Sequence, residues 1–128
     1  MKLLLDTVAY IWFAESDANL SELAKDAIDN PANQLYLSSA SVWEIAIKYG
    51  LGRLNIQFPP EEFLLMQRRS RHIESLPIRE PEALLAGTLP NIHRDPFDRI
   101  IIAQAIVENL VIVTPDTLIM QYQVPVLW

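Results

Sequence analysis

The chain has 128 residues, 51% of them hydrophobic and 20% charged, with no cysteine and a net charge of −6. This composition excludes disorder, disulfides and thiolate zinc sites, and it favours one compact domain over residues 1–128 in a reducing compartment, expected to be the cytoplasm. Lys2 is followed by only three leucines before Asp6, too few for a secretory core, and no apolar run approaches the ~18 residues of a membrane span. The acidic balance alone speaks against a phosphate-binding surface, unless the acids share a pocket where a cation reverses the local sign.

In chain order, short apolar runs alternate with longer helical ones, the pattern of βα units on a parallel sheet. Lys2–Leu5 reads as a buried strand stopped by Asp6. Thr7–Ala14 follows as a largely apolar helix. Its Tyr10, Trp12 and Phe13 cannot all face one side at about 3.6 residues per turn, so at least one is expected to be exposed or at an interface. Leu20–Asp29 is a second helix, with Asn19 or Ser21 as its cap, and Leu35–Leu37 is a second strand. The serines at 38, 39 and 41 offer caps for a helix from about Ala40 to Tyr49, which Gly50 and Gly52 end. Pro59 and Pro60 open a helix over Glu61–Arg71. Glu74–Leu76 is a short strand, Glu80–Ala86 a short helix and Leu89–Arg94 a loop. Asp95 and Pro96 supply a cap and a first-turn proline for a buried helix through Ile100–Val107. Leu110–Val113 is a strand, Pro115–Gln121 a short helix or turn, and Val124–Leu127 a final strand.

Four places put an acid where this pattern expects the inside or rim of the core. Asp6 ends the first strand, and Asp116 follows Val-Ile-Val-Thr-Pro. Glu44 is the only charge in its helix until Lys48, while Asp95 and Asp98 precede a run of isoleucines. In parallel α/β sheets functional groups gather at the carboxyl ends of strands, so these acids can share one crevice. Packed carboxylates repel, and a hard divalent cation with oxygen ligands removes the penalty, Mg²⁺ being the natural choice. Such a site suits phosphodiester hydrolysis with one or two metals. Taken singly, each acid also has an ordinary use. Asp6 and Asp95 can cap helices, Asp98 suits a helix dipole, and Asp116 fits a turn. A lone Glu44 in an apolar helix needs a partner.

The stretches that carry these acids resemble PIN domains, and in particular the VapC-type toxins of type II toxin–antitoxin pairs. They are Lys-Leu-Leu-Leu-Asp-Thr at 2–7, Ser-Ala-Ser-Val-Trp-Glu-Ile-Ala-Ile-Lys at 39–48, and His-Arg-Asp-Pro-Phe-Asp-Arg-Ile-Ile-Ile-Ala-Gln-Ala at 93–105. Val-Pro-Val-Leu-Trp at 124–128 is also similar. The resemblance implies a three-layer α/β/α PIN-like fold with a central parallel sheet of four to five strands. It implies an acidic quartet of Asp6, Glu44, Asp98 and Asp116 that binds Mg²⁺, with Mn²⁺ able to substitute, and cleaves RNA. Asp98 is the third member because it stands before Arg-Ile-Ile-Ile-Ala. Asp95, one turn earlier, contributes through water or as a cap, and Thr7 and Thr114 orient the first and last acids or hold a metal-bound water. His93, Arg94 and Arg99 flank the acids and are candidates for RNA phosphate contact or for ion pairing with Asp95 or Asp98. Arg68, Arg69, Arg71 and His72 read either as a solvated helix end or as a contact for RNA or for an acidic stretch of an antitoxin.

The implied partners are a tRNA or rRNA substrate, a cognate antitoxin that binds near the first helix, and a second copy in a homodimer. Two departures from the family pattern stand out. Val8 occupies a position where related chains often carry His, and Thr-Leu-Ile-Met after Asp116 replaces a more polar stretch. The alternatives are a PIN nuclease of RNA processing without a toxin role, and a non-catalytic PIN-like binding module. A response-regulator phosphoacceptor domain is rejected, because no suitable Lys follows the later strands.

Overall fold

The computed structural model describes residues Met1–Trp128. Five strands, β1 (Lys2–Leu5), β2 (Gln34–Ser38), β3 (Glu74–Leu76), β4 (Val111–Val113) and β5 (Val126–Leu127), form one sheet in the order β3-β2-β1-β4-β5. Every pairing is parallel, with Leu3 opposite Leu35 on one side and Val111 on the other. Six helices cover it: α1 (Thr7–Ala14), α2 (Glu22–Asp29), α3 (Ser39–Gly50), α4 (Pro60–Arg71), α5 (Glu80–Thr88) and α6 (Pro96–Glu108).

The layers follow from the alternation along β1. Leu3 and Leu5 point to one face, where they pack with Ala9 and Tyr10 of α1, Ile28 of α2, Ile45 of α3 and Phe63 of α4. Leu4 points to the other face, with Ala86 of α5, Ile101 and Ala105 of α6 and Ile119. All three leucines are fully buried. Both sides of the central strand are therefore core, which is why β1 is an unbroken apolar run. The result is a three-layer α/β/α sandwich.

The chain moves outward from β1 through β2 to β3, then returns to build β4 and β5 on the opposite side. Strand order therefore reverses between β1 and β4. In open α/β sheets the crevice at the carboxyl ends of such a strand pair is where ligands bind. Asp6 and Thr114 are the residues that immediately follow those two strands.

Several element ends differ from expectation, for local reasons. Asn19 caps nothing; Ser21 caps α2 by accepting from the Ala24 N–H at 3.1 Å. Ser38 caps α3, which starts at Ser39, and Gly50 lies inside that helix, while Gly52 takes the left-handed turn beyond it at φ 70°. Leu110 belongs to the exit of α6, its N–H bonded to Ala105 O at 2.9 Å. Only Ile119–Gln121 of the Pro115–Gln121 stretch is helical, as a single 3₁₀ turn. The last strand shrinks to Val126–Leu127, since Pro125 has no N–H to give the ladder. None of the three α1 aromatics is left bare: Tyr10 is buried, Trp12 packs on Trp128 at 5.9 Å, and Arg71 lies 5.2 Å over Phe13.

Candidate active site

Asp6 leaves β1 with an extended backbone and caps α1, accepting from the Ala9 N–H at 2.7 Å through Oδ1. Its Oδ2 accepts from the Thr114 hydroxyl, so the first and last thirds of the chain meet at this carboxylate. It is only 3% exposed. Burial pushes its carboxyl up to about 6; the Thr114 and Ala9 hydrogen bonds oppose this, and the charges of Asp116 and Glu44 add to it.

Glu44 sits one turn into α3 and is buried. Its Oε1 accepts from the Thr7 hydroxyl at 2.7 Å, and its Oε2 pairs with Lys48 Nζ at 2.5 Å. Asp98 lies half-buried in the first turn of α6, its Oδ2 3.3 Å from His93 Nε2. Burial, and then the charge of Asp95, push its carboxyl up to about 7; Glu44 and Asp6 add to this and His93 opposes it. Asp116 follows β4. Its Oδ1 accepts from the Leu118 N–H at 2.8 Å, its own N–H donates to Thr114 Oγ1 at 3.0 Å, and its Oδ2 lies 2.8 Å from His93 Nε2. These four acids, contributed by α3, α6 and the ends of β1 and β4, lie close enough to act on one another electrostatically.

Some of the supporting residues act differently from expectation. Each threonine serves an acid on another element: Thr7 orients Glu44, and Thr114 orients Asp6 while also accepting from Asp116. Asp95 caps α6 through the Phe97 N–H at 2.9 Å. Arg99 is not available to a phosphate. Its five N–H groups all end on backbone carbonyls, of Ala86 (twice), Leu89, Pro90 and His93, at 2.8–3.1 Å. His93 is buried with both ring nitrogens engaged, so it too is withdrawn from the surface. Arg94 remains exposed, without an ion pair, beside a polar cleft of about 500 Å³ that it lines with Gly87, Asn91, His93 and Arg99. Arg71 ends α4 and pairs with Asp29 at 3.4 Å.

Two contributors escaped the sequence reading. Lys48 gives Glu44 the partner it needed, and its position four residues on was the available signal. The bond to Glu44 raises the Lys48 ammonium, and the charges of Asp95 and Asp98 add to this. Tyr122 anchors the His93 backbone N–H at 2.8 Å and donates to Pro90 O at 2.7 Å; no pattern in the sequence marks it.

The model of the PIN domain matches residues 3–124. The chain belongs to the PIN-domain family. Among known PIN proteins it is similar to the ribonuclease VapC22 of Mycobacterium tuberculosis, with 33% identity over 95% of this chain and 92% of that protein. Solved structures that share the PIN fold include VapBC2 of Rickettsia felis bound to a DNA fragment from its promoter (TM-score 0.69, 17% identity, 98% of this chain and 97% of that one). DNA-bound VapBC of Salmonella typhimurium is similar at a TM-score of 0.67 and 21% identity, over 98% and 96% of the two chains. A toxin–antitoxin complex from Klebsiella pneumoniae follows at 0.64 and 18%, over 97% and 94%.

Proposed function

We propose that this PIN domain, residues 1–128, is a metal-dependent endoribonuclease that hydrolyses RNA phosphodiester bonds and serves as the toxin of a type II pair in the cytoplasm. A cognate antitoxin would hold it inactive, it would act as a homodimer, and its substrate would be a tRNA or rRNA. The observation that carries the reading is the convergence of four acids at the reversal of strand order, two of them holding protons well above the ordinary carboxylate range. Kinship with a ribonuclease of the VapC group supports the substrate, and the toxin–antitoxin assemblies among its structural relatives support the partner.

The donors fit a hard divalent cation. They are carboxylate oxygens, and the half-buried Asp98, with Asp95, Glu44 and Asp6 acting on it, has negative charge left to neutralise. Asp6, Glu44, Asp98 and Asp116 would hold Mg²⁺, or Mn²⁺ in its place. A bound cation of this kind supplies charge neutralisation at the phosphate and a water acidic enough to attack it. The chain's own contribution is to keep the acids in place. Thr7 and Lys48 fix the Glu44 carboxylate, Thr114 and the Ala9 N–H fix Asp6, and the Leu118 N–H fixes Asp116. Arg94 is the cation left free to meet an RNA phosphate beside the site.

Purified protein should cleave tRNA or rRNA with Mg²⁺ or Mn²⁺ and stop when EDTA is added. Asp6→Asn and Asp98→Asn should each reduce the rate by at least about a hundredfold while the protein stays folded. Cleavage that survives EDTA, or both substitutions, overturns the metal mechanism.

A further inference from the structure

His93, Asp98 and Asp116 bring a ring nitrogen and two carboxylate oxygens within 4.8 Å of one another, an arrangement that invites a nitrogen-ligated metal. The hydrogen bonds around His93 exclude that role. A neutral imidazole carries one N–H and one lone pair. The Asp95 backbone N–H donates to Nδ1 at 3.2 Å, so the lone pair is at Nδ1 and the hydrogen at Nε2. That hydrogen is bonded to Asp116 Oδ2 at 2.8 Å, and Asp98 Oδ2 lies 3.3 Å from the same nitrogen. Coordinating a metal through Nε2 would move the proton to Nδ1, where it would meet the Asp95 N–H head-on, donor against donor.

The ring has little freedom to escape this arrangement. His93 is buried. Its N–H is bonded to Tyr122 Oη at 2.8 Å, and its C=O accepts from Arg99 Nη1 at 3.1 Å. Both sides of the peptide are thus tied, one to the segment beyond β4 and the other to α6. Those are the two elements that contribute Asp116 and Asp98.

We infer that His93 is a positioning residue, a clamp whose Nε2–H holds the Asp116 carboxylate beside Asp98 without itself entering the coordination shell. The inference rests on the proposed metal site and adds to it. Two carboxylates from different elements repel when no cation is present, and a fixed N–H donor bonded to Asp116 next to Asp98 keeps the two in register. The clamp predicts an all-oxygen shell. A histidine ligand would instead bias the site toward Mn²⁺ and later transition metals over Mg²⁺.

Three readouts test it. Long-range ¹H–¹⁵N spectra of the metal-free protein should show the His93 hydrogen on Nε2 and none on Nδ1. His72 is the only other histidine, and His72→Gln assigns the signals. Calorimetric titration with Mg²⁺ and Mn²⁺ then compares wild type, His93→Gln and His93→Ala. Glutamine supplies an amide N–H near the place of Nε2–H but no nitrogen lone pair. His93→Gln should keep both affinities within about threefold, His93→Ala should lose about tenfold or more, and the Mg²⁺/Mn²⁺ ratio should not change in either. An Nδ1–H tautomer overturns the inference. So does a His93→Gln loss as large as that of His93→Ala, a selective fall in Mn²⁺ affinity, or wild-type affinity in His93→Ala. If His93→Ala does not fold, the spectra and His93→Gln still decide. Wild-type protein that binds neither metal overturns the metal site itself, a failure distinct from a wrong tautomer.

Discussion

Arg99 offers the sharpest test of the difference between a binding residue and a structural one. Its guanidinium closes the carboxyl end of α5 and the loop after it, bonding the helix-end carbonyl of Ala86 and the loop carbonyls of Leu89, Pro90 and His93. A hydrogen bond from a charged donor contributes about 1.5–3 kcal/mol net. Five contacts from one half-buried group are not additive, and water reaches part of the loop, so Arg99→Ala should cost about 3–4 kcal/mol. For a domain of this size that lowers Tm by roughly 12 °C. Circular dichroism melts and urea titrations measure the loss. RNA binding in an Asp98→Asn background, followed against salt, gives the complementary reading. Arg99→Ala should leave the salt slope of the folded protein unchanged, while Arg94→Ala should reduce it by about one and change stability by less than about 0.5 kcal/mol. An Arg99→Ala protein that melts like wild type and loses slope would show that the guanidinium serves the substrate, and the reasoning would fail.

The raised carboxyls make stability depend on pH in a defined direction. Asp98 at about 7 and Asp6 at about 6, against an ordinary value of 3.8, hold protons more tightly in the folded than in the unfolded chain. The metal-free protein should therefore lose stability as pH rises from about 4 to about 7, together by a few kcal/mol. Millimolar Mg²⁺ should restore it at pH about 8 but not at pH about 5, where protons occupy the same oxygens. Thermal unfolding across that range checks both statements, and a flat profile for the metal-free protein contradicts them. Thr114→Val removes the buried donor to Asp6 and the acceptor of the Asp116 N–H, and should cost about 2–3 kcal/mol in urea titrations. A cost under about 0.5 kcal/mol would mean that Asp6 does not depend on that hydroxyl.

The four acids were legible because each breaks an apolar pattern. A charge at the end of a buried strand or within a buried helix face is visible without coordinates, and the strand-end rule explains why such charges meet. Sheet order was not legible, since nothing in β3, three residues long, says which neighbour it pairs with. The crossed service of Thr7 and Thr114 was hidden for the same reason, because a hydroxyl next to an acid in sequence gives no sign that it points to another acid in space. Arg99 was misread because a basic residue beside acids looks like a phosphate contact until the loop carbonyls around it are seen. Trp12 found its cover in Trp128, from the opposite end of the chain.

The placement of β1 between β2 and β4 has a consequence for how the protein comes into being. Synthesis is vectorial, and Asp6 leaves the ribosome long before Thr114, its donor 108 positions later. Until β4 arrives, β1 has an open edge, Asp6 has lost its main partner and Asp116 does not yet exist. A growing chain therefore contains no assembled site. If its target is an RNA of the translation machinery, the ribosome that builds this protein is safe from it until the chain has been synthesised through residue 116.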